Sequence, residues 1–175
     1  MNKLLVVCLF AVIVSCKEIS YHEAQPEGKA SLAKVPTELR GMYLLSDEKG
    51  TSKDTLVISE SGYRVVSDRK ENLLGDSLVL KLYKGYYFLS INENPEWLLR
   101  IVKRDANGDL LYYSMDVEEK NFNSTLRNLT KEVRVDSMIV NGEQLYQIRP
   151  SAKQLMKLIK KGYFKRTLVM QKISS

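Results

Sequence analysis

From residue 41 onward the chain alternates short apolar runs with clusters of turn residues. The runs 56–58, 63–66, 78–83, 86–92, 97–104 and 110–115 are rich in Leu, Val, Ile and Tyr and end at polar or glycine-containing breaks. Runs of this length and composition predict β-strands rather than helices. Asp105-Ala106-Asn107-Gly108-Asp109 separates two of them as a turn. Asn141-Gly142 lies between runs at 133–140 and 144–148 and supplies the positive φ of a tight hairpin.

Two segments break this rhythm. Ser151 with Gln154 forms a capping-box signature, and Ala152, Leu155, Met156 and Ile159 then fall on one helical face before Gly162. A second helix is predicted between Asp116 and Thr130, where Phe122, Leu126 and Leu129 share a face. A last strand is predicted over 163–173. The middle strands are apolar on both sides. One face is expected to carry Leu78, Leu80, Tyr87, Leu89, Leu99 and Ile101, and the other Tyr83, Tyr86, Phe88, Val102 and Leu110 mixed with Lys81 and Arg100. A half-exposed sheet would alternate more cleanly, so part of the second face is expected to be covered by a helix or a second sheet. The fold class is therefore mainly β. The expectation is an antiparallel meander forming a small barrel or sandwich of about eight to ten strands, with a C-terminal helix followed by a closing strand.

The amino-terminus follows a different rule. Lys3 precedes an unbroken apolar run over 4–14, then Ser15 and Cys16. This is the pattern of a secretory signal peptide. As a helix the stretch from Leu4 to Ser15 spans roughly 18 Å, well short of a ~30 Å hydrocarbon core. Ile13-Val14-Ser15-Cys16 resembles the lipobox of bacterial lipoproteins, in which an aliphatic, a permissive and a small residue precede an invariant Cys. The resemblance implies diacylglycerol on the Cys16 sulfur, removal of residues 1–15 and acylation of the new amine. Lys17-Glu18 is similar to the surface-export signal of Bacteroidota lipoproteins, and the second position is not Asp. Both features imply outer-membrane attachment, facing the periplasm or the surface. Residues 16–36 carry Pro26 and Pro36 without clear periodicity and are expected to form a flexible tether, leaving 37–175 as a single β-rich domain. Gly41-Met42-Tyr43 resembles the first-strand Gly-x-Trp of lipocalins, with Tyr for Trp, which favours a barrel over a sandwich.

Composition narrows the chemistry. The 175 residues include two Cys and one His. Ser-His-Asp and Cys-His machinery, disulfide frameworks and Cys/His zinc sites are thereby excluded. His22 falls in the expected tether and reads as solvated. No Gly-rich phosphate loop occurs, and no catalytic residue, metal site or cofactor is assigned. Residues 151–175 hold seven basic side chains and no acidic one. Lys153, Lys157, Lys160 and Lys161 share one stripe of the predicted helix, a candidate docking surface for anionic lipid, glycan or an envelope protein. Export argues against nucleic acid. Tyr83, Tyr86, Tyr87, Tyr112 and Tyr113 crowd the middle strands, where they can pack, stack on sugars or line an apolar lumen. Asp54-Thr55-Leu56, Asp76-Ser77-Leu78 and Asp136-Ser137-Met138 resemble the Bacteroidota O-glycosylation pattern, which implies sugar on Thr55, Ser77 and Ser137. The reading that results is a lipid-anchored envelope lipoprotein with a non-enzymatic binding role. The alternatives are a carrier of an apolar small molecule and a carboxylate-based hydrolase.

Overall fold

Strand-forming runs dominate the folded chain as they dominate the sequence. The computed structural model describes residues 17–46, 52–68, 70–117, 119–140 and 143–174. The signal segment 1–15, Cys16 and the Asn141-Gly142 turn lie outside the described residues. The strands are β1 (Lys17–Tyr21), β2 (Gly41–Ser46), β3 (Ser52–Ile58), β4 (Gly62–Val65), β5 (Glu71–Leu73), β6 (Leu78–Tyr83) and β7 (Tyr86–Asn92). They continue with β8 (Trp97–Arg104), β9 (Leu110–Ser114), β10 (Asp116–Val117), β11 (Val135–Val140), β12 (Glu143–Ile148) and β13 (Lys165–Ser174). Among the described residues there are two helices, α1 (Glu119–Leu129) and α2 (Ala152–Lys160), and a short 3-10 turn at Thr37–Leu39.

Nine strands form one antiparallel path in the order β5-β4-β3-β2-β13-β9-β8-β7-β6. The path curls but does not close, because β5 and β6 are not paired with each other. The lumen expected of a barrel is thus built by an open sheet. A second branch leaves β8, where Tyr21 of β1 pairs with Trp97. It continues through β12 to β11, and the β1–β12 pair is parallel, so the sheet is mixed and not wholly antiparallel. The strand total exceeds the expected eight to ten because β1, β5 and β10 are too short for their alternation to be read.

Both faces of β7–β9 are buried, each by a different partner. Tyr87, Val102 and Leu110 turn inward with Tyr43, Leu56, Leu80 and Met170 as the core of the curl. Phe88, Leu99, Ile101 and Met115 turn the other way and pack with Phe122 and Leu129 of α1 and Leu155, Met156 and Leu158 of α2. The second face is therefore helix-covered, as the weak alternation suggested. The division of residues between faces differs from expectation on both β8 and β9: Leu110, expected beside Phe88, pairs with Arg104 and lies on the face of Leu80 and Leu89. Leu80 pairs with Leu89, which pairs with Arg100, so Arg100 and Val102 share the face of Leu80 and Leu89, while Leu99 and Ile101 share that of Phe88. Pairing register, invisible in a single strand, decides this. On α2 the capping box forms: the Ser151 hydroxyl accepts from the Gln154 amide at 3.3 Å, and Gln154 Oε1 accepts from the Ser151 amide at 3.0 Å.

The segment expected as a tether is ordered. Ile19 and Tyr21 are each 1% exposed within the helix-side core. The prolines that suggested a linker sit instead in turns of a strap that folds back over the sheet. Lys81 Nζ, buried on β6, donates to the Ala24 carbonyl at 2.7 Å and to the Pro26 carbonyl at 3.1 Å. Burial pushes its pKa down, against the charge of nearby Glu23. Further on, the Leu32 amide donates to Leu80 and the Val35 amide to Glu60, both at 2.8 Å. Truncation separates a core strand from a tether. Ile19→Ala is expected to cost about 2–5 kcal/mol in urea unfolding, whereas a solvated tether would register no more than about 0.5 kcal/mol.

Candidate functional site

The curled sheet forms a cavity of about 190 Å³ that is open to solvent on one side. Its wall is drawn from β2–β4, β6–β9 and β13, with Leu56, Leu80, Leu89, Val102, Leu110 and Met170 among the lining side chains. Val35 and Leu39, carried on the strap and the 3-10 turn, also line it. Among the described residues no charged side chain lines it. Gly62 permits close approach of β4 to β5 at the wall: a Cβ there would stand 2.0 Å from the Asn72 carbonyl oxygen.

Two tyrosine hydroxyls of this core are bonded to the 3-10 turn. Tyr43 donates to the Leu39 carbonyl at 2.9 Å, and Tyr87 donates to Glu38 Oε1 at 2.6 Å. Both bonds hold the 3-10 turn against the wall. Arg40 assists by donating to the Val35 carbonyl at 2.8 Å and to Glu60 at 3.0 Å. Burial, then the Glu38 bond and charge, push the Tyr87 phenol up to about 12, while the same bond holds Glu38 below its ordinary value. Tyr63, another lining residue, is raised by burial and eased by Arg100. A second cleft, of about 430 Å³, lies between the strap at Ser31–Ala33 and the turn leading into β6, and shares Leu74 and Leu78 with the cavity.

The tyrosines expected to crowd one region are divided by the sheet. Tyr87 and Tyr112 line the cavity, whereas Tyr83, Tyr86 and Tyr113 pack toward the helices. Lys153, Lys157, Lys160 and Lys161 do share α2 and its approach to Gly162, but two are engaged. Lys157 pairs with Glu132 at 2.9 Å, and Lys161 pairs with the same carboxylate. Thr55 is half-buried in β3, Ser77 is exposed in the turn before β6, and Ser137 is exposed on β11. Two of the preceding acids have structural partners. Asp54 accepts from the Thr55 amide at 2.7 Å, and Asp136 binds Arg134 at 2.8 Å and lies 3.4 Å from His22. Glu23 and Glu27 converge on Arg149, at 3.1 and 3.5 Å, as an ion-pair network at the strap. Among the described residues no group of three or more His, Cys, Asp or Glu side chains is placed to hold a metal. Sequence reasoning missed the contribution of β3, β4 and the strap to the cavity. The only signal was the inward set Leu56, Ile58, Tyr63 and Val65, whose shared face depends on hairpin register.

Compared with protein-family models, curated proteins and solved structures, the chain matches none.

Neutral Tyr87 is favoured in the folded chain, so its stabilisation is complete below pH 10 and is lost as pH rises through about 12. Glu38→Gln removes the charge but not the burial. It is expected to bring Tyr87 ionisation part of the way from about 12 toward 10, read by NMR titration of the ring carbon with Tyr87→Phe for assignment. An unmoved titration would remove Glu38 as a cause.

Proposed function

We propose that this protein is a cell-envelope lipoprotein, acylated at Cys16 and attached to the outer membrane, that holds a small apolar ligand in the lumen of its curled sheet. The observation that carries the ligand-binding reading is the cavity of about 190 Å³ whose lining, among the described residues, has no charged side chain. A dry apolar cavity of about 150 Å³ accommodates benzene, whereas drug-sized ligands need about 300 Å³ or more. The ligand class is accordingly a single ring or a short hydrocarbon segment, not a complete lipid. Burial supplies affinity at about 25 cal/mol per Å² of apolar surface. The apolar lining is what supports binding as the role proposed here. The envelope assignment rests on the lipobox-like residues 13–16 and stands on separate support.

Toluene, cyclohexane and short alkanols provide the test. A ligand at a hundred times its Kd is expected to add about 2.7 kcal/mol, visible as a rise in Tm. Val102→Phe, which fills the lumen, abolishes that rise. Leu80→Ala enlarges it and shifts preference to bulkier ligands. Equal Tm with and without every member of the series would remove the cavity reading. For the anchor, labelled palmitate is expected to enter the wild-type chain and not Cys16→Ser.

A further inference from the structure

We infer that the β6–β7 hairpin end of the domain docks on the anionic headgroups of the bilayer that holds Cys16. This rests on the proposed acylation of Cys16, and three observations lead to it.

The first is a cluster of cations on aromatic rings. Lys29 Nζ lies 4.7 Å and Lys84 Nζ 5.5 Å from the Tyr83 ring centre, and Lys103 Nζ lies 5.6 Å from that of Tyr86. Tyr83 and Tyr86 are direct cross-strand partners, so the three lysines gather at one hairpin tip. All three are exposed, and no carboxylate of the described residues pairs with them. Rings beneath the ammonium groups give the patch the mixed apolar and cationic character that suits a lipid interface.

The second is the turn itself. Lys84 has φ 49° and Gly85 φ 78°. Asn or Gly fills the first of these left-handed positions at lower cost than Lys. A charged side chain thus stands at the tip, in a backbone conformation that costs Lys more than Asn or Gly.

The third is direction. Tyr21 pairs antiparallel with Trp97, so β1 runs back along β8 and its amino end points toward the end carrying Lys103. At about 3.3 Å per residue, Lys17 lies roughly 13 Å from Tyr21 and Lys103 roughly 20 Å from Trp97. The anchored end and the lysine cluster therefore lie within roughly 7 Å of one level along the strands. The tip of β11–β12, parallel to β1 through β12, points the same way and carries Ile139, 77% exposed. With no tether between Cys16 and β1, a headgroup layer at the anchor meets these side chains. By contrast Lys157 of α2 and Lys161 just beyond it are spent on Glu132.

The acylated protein in native envelope membranes provides the test. A membrane-impermeant amine-acetylating reagent is applied before and after detergent solubilisation, and each lysine is quantified by mass spectrometry. In membranes, Lys29, Lys84 and Lys103 are expected to react about tenfold more slowly than Lys153 and Lys160. The protection is expected to vanish in detergent and in 1 M salt, where the Debye length falls to about 3 Å. Lys84→Glu is expected to expose Lys29 and Lys103 to the rate of Lys153. Equal rates in membranes overturn the proposal. Protection that survives detergent also overturns it, in favour of a protein partner. Palmitate incorporation into the same sample keeps the two readings apart. Acylated protein with unprotected lysines removes only the docking surface, and failure of acylation removes the anchor.

Discussion

A sheet that is apolar on both faces must be covered twice, and the architecture answers that constraint. Strands β7–β9 carry Tyr87, Val102 and Leu110 on one side and Phe88, Leu99 and Ile101 on the other. Leaving either side in water would forfeit about 1.5–3 kcal/mol per large side chain. One face is covered by curling the sheet on itself, and the other by α1, α2 and β1. The two solutions differ in quality. On the helix side, side chains from helices and strands interdigitate, and Leu129, Ile148, Leu155 and Leu158 are fully buried. On the curled side the wall belongs to a single sheet whose curvature is limited, and unfilled volume remains at its centre.

The strap from 22 to 40 links the two halves. It begins at β1 in the helix-side core, crosses β6 at Leu32 and Lys81, and ends by placing Val35 and Leu39 on the cavity. Lys81 sits where it crosses. Burying an ammonium group is costly unless its protons are bonded, and two backbone carbonyls of the strap accept them. A lysine in this position favours a strap that lies down, because lifting it would break both bonds. The strap is therefore held by polar bonds at its middle and by apolar contacts at both ends.

Much of this was legible in the sequence, and the reasons for the exceptions are physical. Strand identity survived because β-branched and aromatic runs such as 78–83 and 97–104 are long enough to show composition. Helix α2 was legible because Ser151 and Gln154 make local bonds that depend on nothing distant. Face assignment across β7–β8 failed because it depends on register, a property of two strands. The ordering of 17–36 was illegible for a related reason. Ile19 and Tyr21 are only two inward residues, and what buries them comes from β8 and β12, 76 or more positions away. The cavity was half legible: a Leu/Tyr face was visible, but whether packing fills the space behind it is not a pattern in one chain segment.

An ordered amino-terminus changes what an acyl anchor at Cys16 would do. A flexible linker of twenty residues averages roughly 25 Å end to end and leaves the orientation of its domain free. A strand does neither, since Lys17 and Glu18 are already paired with Val117 and Asp116. An acylated Cys16 would thus act as a fixed point on the fold, and the surface around that point would be selected for contact with headgroups. The same geometry separates the two proposed roles. The cavity opens on the inward face of β6–β9, while β1 and the helices occupy the outward face. Contact at the anchored end would then involve the Tyr83 end of β6 and leave its Leu78 end, where the second cleft lies, clear of β1.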